Sequence, residues 1–199
     1  MDTTLVSKIF TDNGITHEKP LPQGVFLHIG CGNKKLAGAI GVDVLSLPAV
    51  DVVCDLDTTP WPFDDNSADG IYAHSVVEHL DSIPAVMGEL WRIGRSGARV
   101  VIAVPHFRSI DAFTDPTHRH FFTSRSFDYF IDGTTLSQYH YVPYRFKKIG
   151  MWYGWPARSR NPIVRAFKGF IAKNSVLYDQ FLSLLFPSKI LVWELEIIK

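Results

Sequence analysis

Cysteine is almost absent from this chain. The two that occur, Cys31 and Cys54, have no CxxC spacing, so no disulfide scaffold is expected and a reducing, cytoplasmic setting is. No run of 18 apolar residues occurs; the longest candidate, FLSLLF at 181–186, is far too short to span a bilayer. The opening residues MDTTLVSKIFTDNG lack the charged-then-apolar pattern of a secretion signal. Neither sign of charge is in excess, with 20 basic and 20 acidic side chains, which speaks against a nucleic-acid partner held by bulk charge. Internal repeats and low-complexity tracts are also missing.

What is present suits one globular unit. The 199 residues are 46% apolar and 20% charged, enough for a single sizeable core and unlike a disordered chain. Residues 1–22 read as a lead-in segment. Five runs of strand length follow: VFLHIG (25–30), AIGVDV (39–44), VDVVCD (50–55), GIYAHS (70–75) and ARVVIAVP (98–105). They are continuously apolar rather than alternating, as in parallel strands covered on both faces. Between the last two, Ile83, Val86, Met87, Leu90 and Trp91 fall on one helical stripe, with Asp81 or Ser82 as cap and Pro84 in the first turn. GRSG then has the glycine chemistry of a helix stop. The βαβ pattern predicts an open α/β sheet, although NKKLAG is too short for a crossover helix and predicts a turn or loop. Beyond residue 105 the composition shifts to aromatic residues, His, Arg and Pro, the character of a lid or substrate wall. The tail adds a strand at 144–152, a helix near 176–186 and a strand at 190–198.

The first strand ends in GCGN. Gly30 and Gly32 there let backbone N–H groups approach a ligand. A dinucleotide site needs a third glycine three residues on and an acid roughly 20 residues later. Lys35 occupies the first position, and the acid closing the next strand, Asp43, comes only 11 residues after Gly32. A ligand with a ribose and no pyrophosphate fits better, its hydroxyls donating to Asp43. Cys31 and Cys54 read as small buried side chains.

LHIGCG, GVDV, DVVCDLDTTPWPFDDNSADGIYAHSVVEHL and ELWRIGRSGARVVIAVPH follow, in order and spacing, the motifs of class I S-adenosylmethionine-dependent methyltransferases. More narrowly, the chain resembles small bacterial and archaeal methyltransferase type 11-like proteins, a likeness that DPTHRHFFTSRSFDYF and WELEIIK share. The resemblance implies a Rossmann-like α/β fold: a seven-stranded, mostly parallel sheet with a terminal antiparallel strand pair. It implies a single domain over 1–199, with a cofactor half at 23–105 and a substrate half at 106–199. It also implies S-adenosylmethionine as cofactor and S-adenosylhomocysteine as product. Gly30, Cys31 and Gly32 would line the methionine end, Asp43 with Val44 the ribose, and Asp55 with Leu56 the adenine. His74 and Ser75 would stand near the sulfonium.

Methylation of oxygen also requires removal of a proton. His79, His106 and His118 lie at or beyond carboxyl strand ends, and an imidazole's ordinary pKa near neutrality suits base work, so they are the candidate bases. Quinone O-methyltransferases and small-RNA 2′-O-methyltransferases carry a Glu-x-x-Glu-His metal site at the position of SVVEH. Here Ser75 replaces the first glutamate, and no metal is expected, although Glu78 and the histidines are suitable ligand types. Arg119 or Arg125 could bind an acidic group on the acceptor. The expected acceptor is a small molecule or glycan; the alternatives are a nucleic-acid methyltransferase and a non-catalytic S-adenosylmethionine-binding protein. Trp and Phe alternating with Arg and Lys over 152–173 suggest either peripheral membrane contact or a helix covering the sheet.

Overall fold

Phe26–Ile29 is buried at every position and forms a strand in the interior of the sheet, because a run apolar on both faces is stable only where both are covered. In the computed structural model of the chain the described residues are 21–154 and 161–199, together with 5, 9–11 and 14–15. Most of the expected lead-in therefore lies outside them, apart from a two-stranded ladder of β1 (Phe10–Thr11) and β2 (Gly14–Ile15).

The main sheet contains β3 (Phe26–Ile29), β4 (Ile40–Asp43), β5 (Val52–Val53), β6 (Ala68–His74), β7 (Gly94–Pro105), β8 (Arg145–Tyr153) and β9 (Ile190–Ile198). Its order is β5-β4-β3-β6-β7-β9-β8. The pairs from β5 to β7 are parallel, and β9 runs antiparallel between β7 and β8. This is the predicted seven-stranded sheet with its antiparallel terminal pair. The third sequence run shrinks to two paired residues, since Asp51 and Asp55 flank it and are exposed.

Helix α1 (Ile83–Ile93) is capped by Ser82, whose side chain accepts from the Ala85 N–H at 3.3 Å. It ends at the expected GRSG, though without the left-handed glycine of a helix stop. Gly94 has extended backbone (φ −71°, ψ 143°) and already pairs with Ala68, so the helix runs directly into β7. A side chain at Gly94 would meet Ile197 at 2.2 Å, and that close approach explains the glycine. The link between β3 and β4 contains turns and no helix, and the same is true between β4 and β5 and between β5 and β6. The helix predicted near 176–186 is shorter, α4 (Ser175–Gln180) followed by a 3₁₀ turn at Leu182–Leu184, and α3 (Pro162–Lys173) precedes it within the basic-aromatic stretch. A short α2 (Asp111–Thr114) interrupts the aromatic segment.

The alternation of strand side chains makes two unlike faces. On one, Leu27, Ile29, Ile71, Val100, Ile102 and Trp193 pack with Val86, Met87, Leu90 and Ile93 of α1. Each fully buried large side chain there contributes about 1.5–3 kcal/mol. On the other, Phe26, Tyr72, Val101, Ala103 and Val192 are covered by Leu36 and Ala39 from the β3–β4 link and by Leu5 and Ile9. The Leu5 N–H donates to the buried Glu194 carboxylate at 2.8 Å. The parallel strands all end on one edge, and the site lies there.

Candidate active site

At the end of β3, Gly30 (φ 63°) and Gly32 (φ 53°) adopt left-handed backbone, which favours glycine. A Cβ on Gly30 would lie 2.5 Å from Val76, whereas one on Gly32 would meet nothing within 4 Å. Gly30 is therefore required by packing, and Gly32 leaves an open approach to the backbone. The Gly32 N–H donates to Asp43 Oδ2 at 2.9 Å, and Asp43 Oδ1 accepts from the Leu45 N–H at 3.0 Å. The carboxylate is thus held beside the glycine turn, each oxygen retaining lone-pair capacity. Cys31 is buried; that burial, then the Asp43 charge, raises its thiol pKa and disfavours the thiolate. Lys35, at the missing third glycine, pairs with Asp51 and forms no phosphate cradle.

Asp55 lies beyond the end of β5, exposed, accepting from the Asp57 N–H at 3.0 Å. Val44 is exposed directly after Asp43. Leu56 differs: its side chain belongs to the main core. His74 is half-buried at the end of β6, and Ser75 follows it with φ 50°. The open glycine turn, the fixed Asp43 and the second carboxylate of Asp55 fit a ribose- and adenine-bearing ligand without phosphate. They stand at carboxyl strand ends, where open α/β sheets bind ligands.

Beyond Ser75 the chain makes a 3₁₀ turn, Val77–His79. The Glu78 carbonyl accepts from the backbone N–H groups of Arg119 (2.8 Å) and His120 (3.2 Å), which pins the 115–120 strap across the turn. His118 is thereby brought to Glu78, with Nε2 at 3.9 Å from Oε1, and its ring stands edge-on to that of His79 at 4.6 Å. One ligand atom from each of Glu78, His79 and His118 lies within 4.8 Å of the others. Together with Ser75, Pro105 and Asp115 they wall a cavity of about 590 Å³.

Hydrogen bonds set the imidazole tautomers. His118 Nδ1 meets the Ala112 carbonyl at 2.9 Å, an acceptor only, so Nδ1 carries the proton. Thr117 Oγ1 donates to Asp115 Oδ1 at 2.6 Å and so accepts from His79 Nδ1 at 2.8 Å. Both rings are left with a bare Nε2. Burial, then the neighbouring His118, lowers the His79 pKa. Glu78 is 1% exposed, and neither carboxylate oxygen has a hydrogen-bond partner; burial pushes its pKa up to about 7. The orienting roles of Ala112, Asp115 and Thr117 escaped sequence reading, although Asp-x-Thr is a turn signature.

His106, expected as a candidate base, stands elsewhere in function. It is fully buried; Nε2 donates to Asp179 Oδ1 (3.1 Å) and Nδ1 accepts from the Arg108 N–H (3.3 Å). Asp179 also accepts from Tyr153 Oη (2.8 Å) and the Ser124 N–H (2.8 Å). With both nitrogens engaged, His106 ties the end of β7 to β8 and α4. Arg119 pairs with Asp81, and Arg125 with Asp128 at 3.3 Å. The strap also contributes to a second cavity of about 380 Å³ with aromatic walls, among them Phe122, Tyr129 and Tyr141.

Residues 27–102 match a family described as "Methyltransferase domain". Comparison with curated proteins finds no match. Among solved structures, an S-adenosylmethionine-dependent methyltransferase from Archaeoglobus fulgidus is similar at 18% identity and TM-score 0.55, over 87% of this chain and 86% of that one. A methyltransferase of the same description from Mesorhizobium loti is similar at 13% identity and TM-score 0.53, over 88% and 93%. Geranyl diphosphate C-methyltransferase from Streptomyces coelicolor A3(2) is similar at 11% identity and TM-score 0.56, over 98% and 77%. The family match falls on the strands that build the glycine turn and Asp43, and the fold likeness extends over most of the chain. Residues 27–102 thus carry the match to a methyltransferase domain, and the chain as a whole has the Rossmann-like α/β fold of S-adenosylmethionine-dependent methyltransferases.

Proposed function

We propose that the protein methylates a hydroxyl oxygen of a small or glycan-like acceptor seated in the cavity walled by Ser75, Glu78, His79 and His118. The observation that carries this reading is the bare Nε2 of His118 on a cavity beside the cofactor half, where Gly30 packs against Val76, the residue after Ser75. S-adenosylmethionine, when bound, supplies a methyl group on a sulfonium that is its own leaving group. In this reading the Gly30–Cys31–Gly32 backbone seats the amino-acid end. Asp43, with Val44 beside it, accepts from the ribose; Asp55 and the backbone at Leu56 meet the adenine. His74 and Ser75 border the approach to the methyl.

Such a displacement gains chiefly from positioning. With the cofactor bound, the methyl C–O bond would form as the C–S bond breaks, leaving S-adenosylhomocysteine, and the hydroxyl proton would pass to His118 Nε2. His79 is the second candidate for that proton. His106 is left out because both its nitrogens are already engaged. The test is transfer of a labelled methyl group to a panel of hydroxyl-bearing small molecules and glycans. His118→Ala should reduce turnover about 100-fold while cofactor affinity, measured by calorimetry, is retained. Full turnover in both His118→Ala and His79→Ala would exclude the base. Strongly salt-dependent RNA binding would favour a nucleic-acid acceptor instead.

The α3 region carries a second element of this reading, contact with an anionic membrane surface. Only Ile171 of α3 is buried; Ile163, Val164, Phe167 and Phe170 are exposed, as are Leu184, Leu185 and Phe186. Arg165 and Lys173 are exposed beside them, and the single acid between 161 and 188, Asp179, is buried. A helix that covered the sheet would hide this face. Residues 155–160 of the basic-aromatic stretch lie outside the described residues. No helix of the described residues is long and apolar enough to cross a membrane; the contact in this reading is peripheral. Co-sedimentation with anionic phospholipid vesicles at low salt should be lost in Phe167→Ser/Leu185→Ser; absence of binding by the unaltered protein overturns it.

A further inference from the structure

We propose that Glu78, His79 and His118 form a binding site for a divalent transition-metal cation, open toward the acceptor cavity. This deepens the proposed function at the same site, and it departs from the absence of metal expected from Ser75.

Three independent features point to a cation. Glu78 is the single carboxylate among the described residues that is buried with both oxygens unpartnered. Burying an unbalanced carboxylate is costly unless a proton or a cation neutralises it. Second, both histidines are fixed as the tautomer a metal needs, each giving its Nδ1 proton to an orienting acceptor. For His118 the acceptor is a backbone carbonyl; for His79 it is a hydroxyl that in turn donates to Asp115. Such outer hydrogen bonds typically accompany metal-ligating imidazoles. Third, the ligand atoms converge on one point. Donors around a bound cation at 2.0–2.2 Å stand roughly 3–4 Å apart, so the observed spacing of up to 4.8 Å needs an inward movement of only about an ångström.

The donor set selects the metal. Two imidazole nitrogens and one carboxylate suit Zn²⁺, Co²⁺, Fe²⁺ or Mn²⁺, whereas Mg²⁺ and Ca²⁺ prefer oxygen. Three protein ligands leave a coordination position open, as catalytic sites do. In the loaded protein the two Nε2 lone pairs are occupied as ligands, so His118 serves there by holding the cation and takes the hydroxyl proton only in the metal-free protein. The cation's contribution is then to lower the pKa of the acceptor hydroxyl. The proton leaves to solvent at the cavity mouth, where exposed Asp111 and Asp115 stand.

The test uses the full chain stripped with chelator and titrated separately with Zn²⁺, Co²⁺ and Mn²⁺. Calorimetry should show one equivalent bound, thermal unfolding an upward shift, and Co²⁺ a visible absorption of a nitrogen-ligated site. Glu78→Gln and His118→Ala should each weaken binding at least tenfold, and the positioning variant Thr117→Val about tenfold. His140→Ala, at an exposed histidine outside the cluster, should bind as wild type. Circular dichroism checks that the variants fold, and if Glu78→Gln does not, His118→Ala and Thr117→Val decide. No saturable binding of any of the three ions, or binding unchanged in the ligand variants, overturns the site. Methyl transfer is measured separately. Protein that binds the cation but methylates no hydroxyl keeps this site and loses the proposed function. Protein that binds none and turns over fully after chelation loses this site and keeps that function.

Discussion

Two histidine–carboxylate assemblies stand on the same edge of the sheet, and they are opposites. Around His106, every polar atom of the ring and of Asp179 is matched: Nε2 and Nδ1 are both engaged, and the carboxylate accepts from His106, Tyr153 and Ser124. Around Glu78, the outer nitrogens of His79 and His118 are matched while the inner atoms, two Nε2 and two carboxylate oxygens, face one another and a cavity. A protein that satisfies one buried group completely and leaves its neighbour wanting has separated structure from chemistry. Closed networks hold elements together; open ones await a ligand.

The comparison is broken most forcefully at Asp179. Its replacement by alanine leaves His106, Tyr153 Oη and the Ser124 N–H facing a void, and should cost about 3–5 kcal/mol of stability in denaturant unfolding. Turnover per folded molecule should change little. His118→Ala should do the reverse: a loss of about 100-fold in turnover with a midpoint of unfolding close to wild type. If both variants lost stability alike and neither lost turnover selectively, the distinction would collapse.

Smaller effects sharpen it. Asp43→Ala removes a charged acceptor from the glycine turn and should weaken S-adenosylmethionine binding by about 1.5–3 kcal/mol, read by calorimetry. Gly30→Ala and Gly32→Ala share left-handed backbone but differ in space, since only the first collides with Val76. Both should lose about 1 kcal/mol to backbone conformation, and Gly30→Ala should lose more through the clash. Gly32→Ala should still fold, yet bind the cofactor less well.

The smallest effect is in acid. Burial alone would raise the Asp179 pKa, but the hydrogen bonds from His106, Ser124 and Tyr153 outweigh it and hold the carboxyl below its ordinary value of 3.8. A depressed carboxyl stabilises the fold above the unfolded value, and that stability is lost as pH falls through the folded one. The stability gap between wild type and Asp179→Asn should therefore be constant near neutrality and narrow below about pH 4. Unfolding midpoints from pH 6 to 3 measure it.

The glycine turn and its acid were legible in the sequence because their signals are local. GCG followed at a short interval by Asp43 states a turn and an acid on adjacent parallel strands, and β3 and β4 pair as that requires. The helix stripe from Ile83 to Trp91 was equally plain, and so was the place of its end, but not the reason for the glycine there. GRSG looks like a stop, but Gly94 is demanded by Ile197, a residue about a hundred positions later. The histidines show the same limit. Residue type alone made His79, His106 and His118 equal candidates. What separates them is tertiary: Asp179 and Tyr153 come from α4 and β8 to occupy His106, whereas the 115–120 strap offers His118 to Glu78. Leu56, placed at the adenine by its motif, turned inward because its side chain fills the core.

The position of β9 has a consequence in time as well as in space. It follows β8 along the chain but lies between β7 and β8, so β8 cannot join the sheet until β9 has arrived. The pairing it makes with β7, from Arg99 opposite Glu196 to Pro105 opposite Ile190, closes a loop of nearly half the chain. Contacts so distant in sequence make for slow folding. In the interval the apolar edge of β7 is bare, a template for pairing with another chain. Refolding yield should therefore fall as protein concentration rises. The same insertion that completes the methyltransferase sheet makes its assembly a race between β9 and a neighbour.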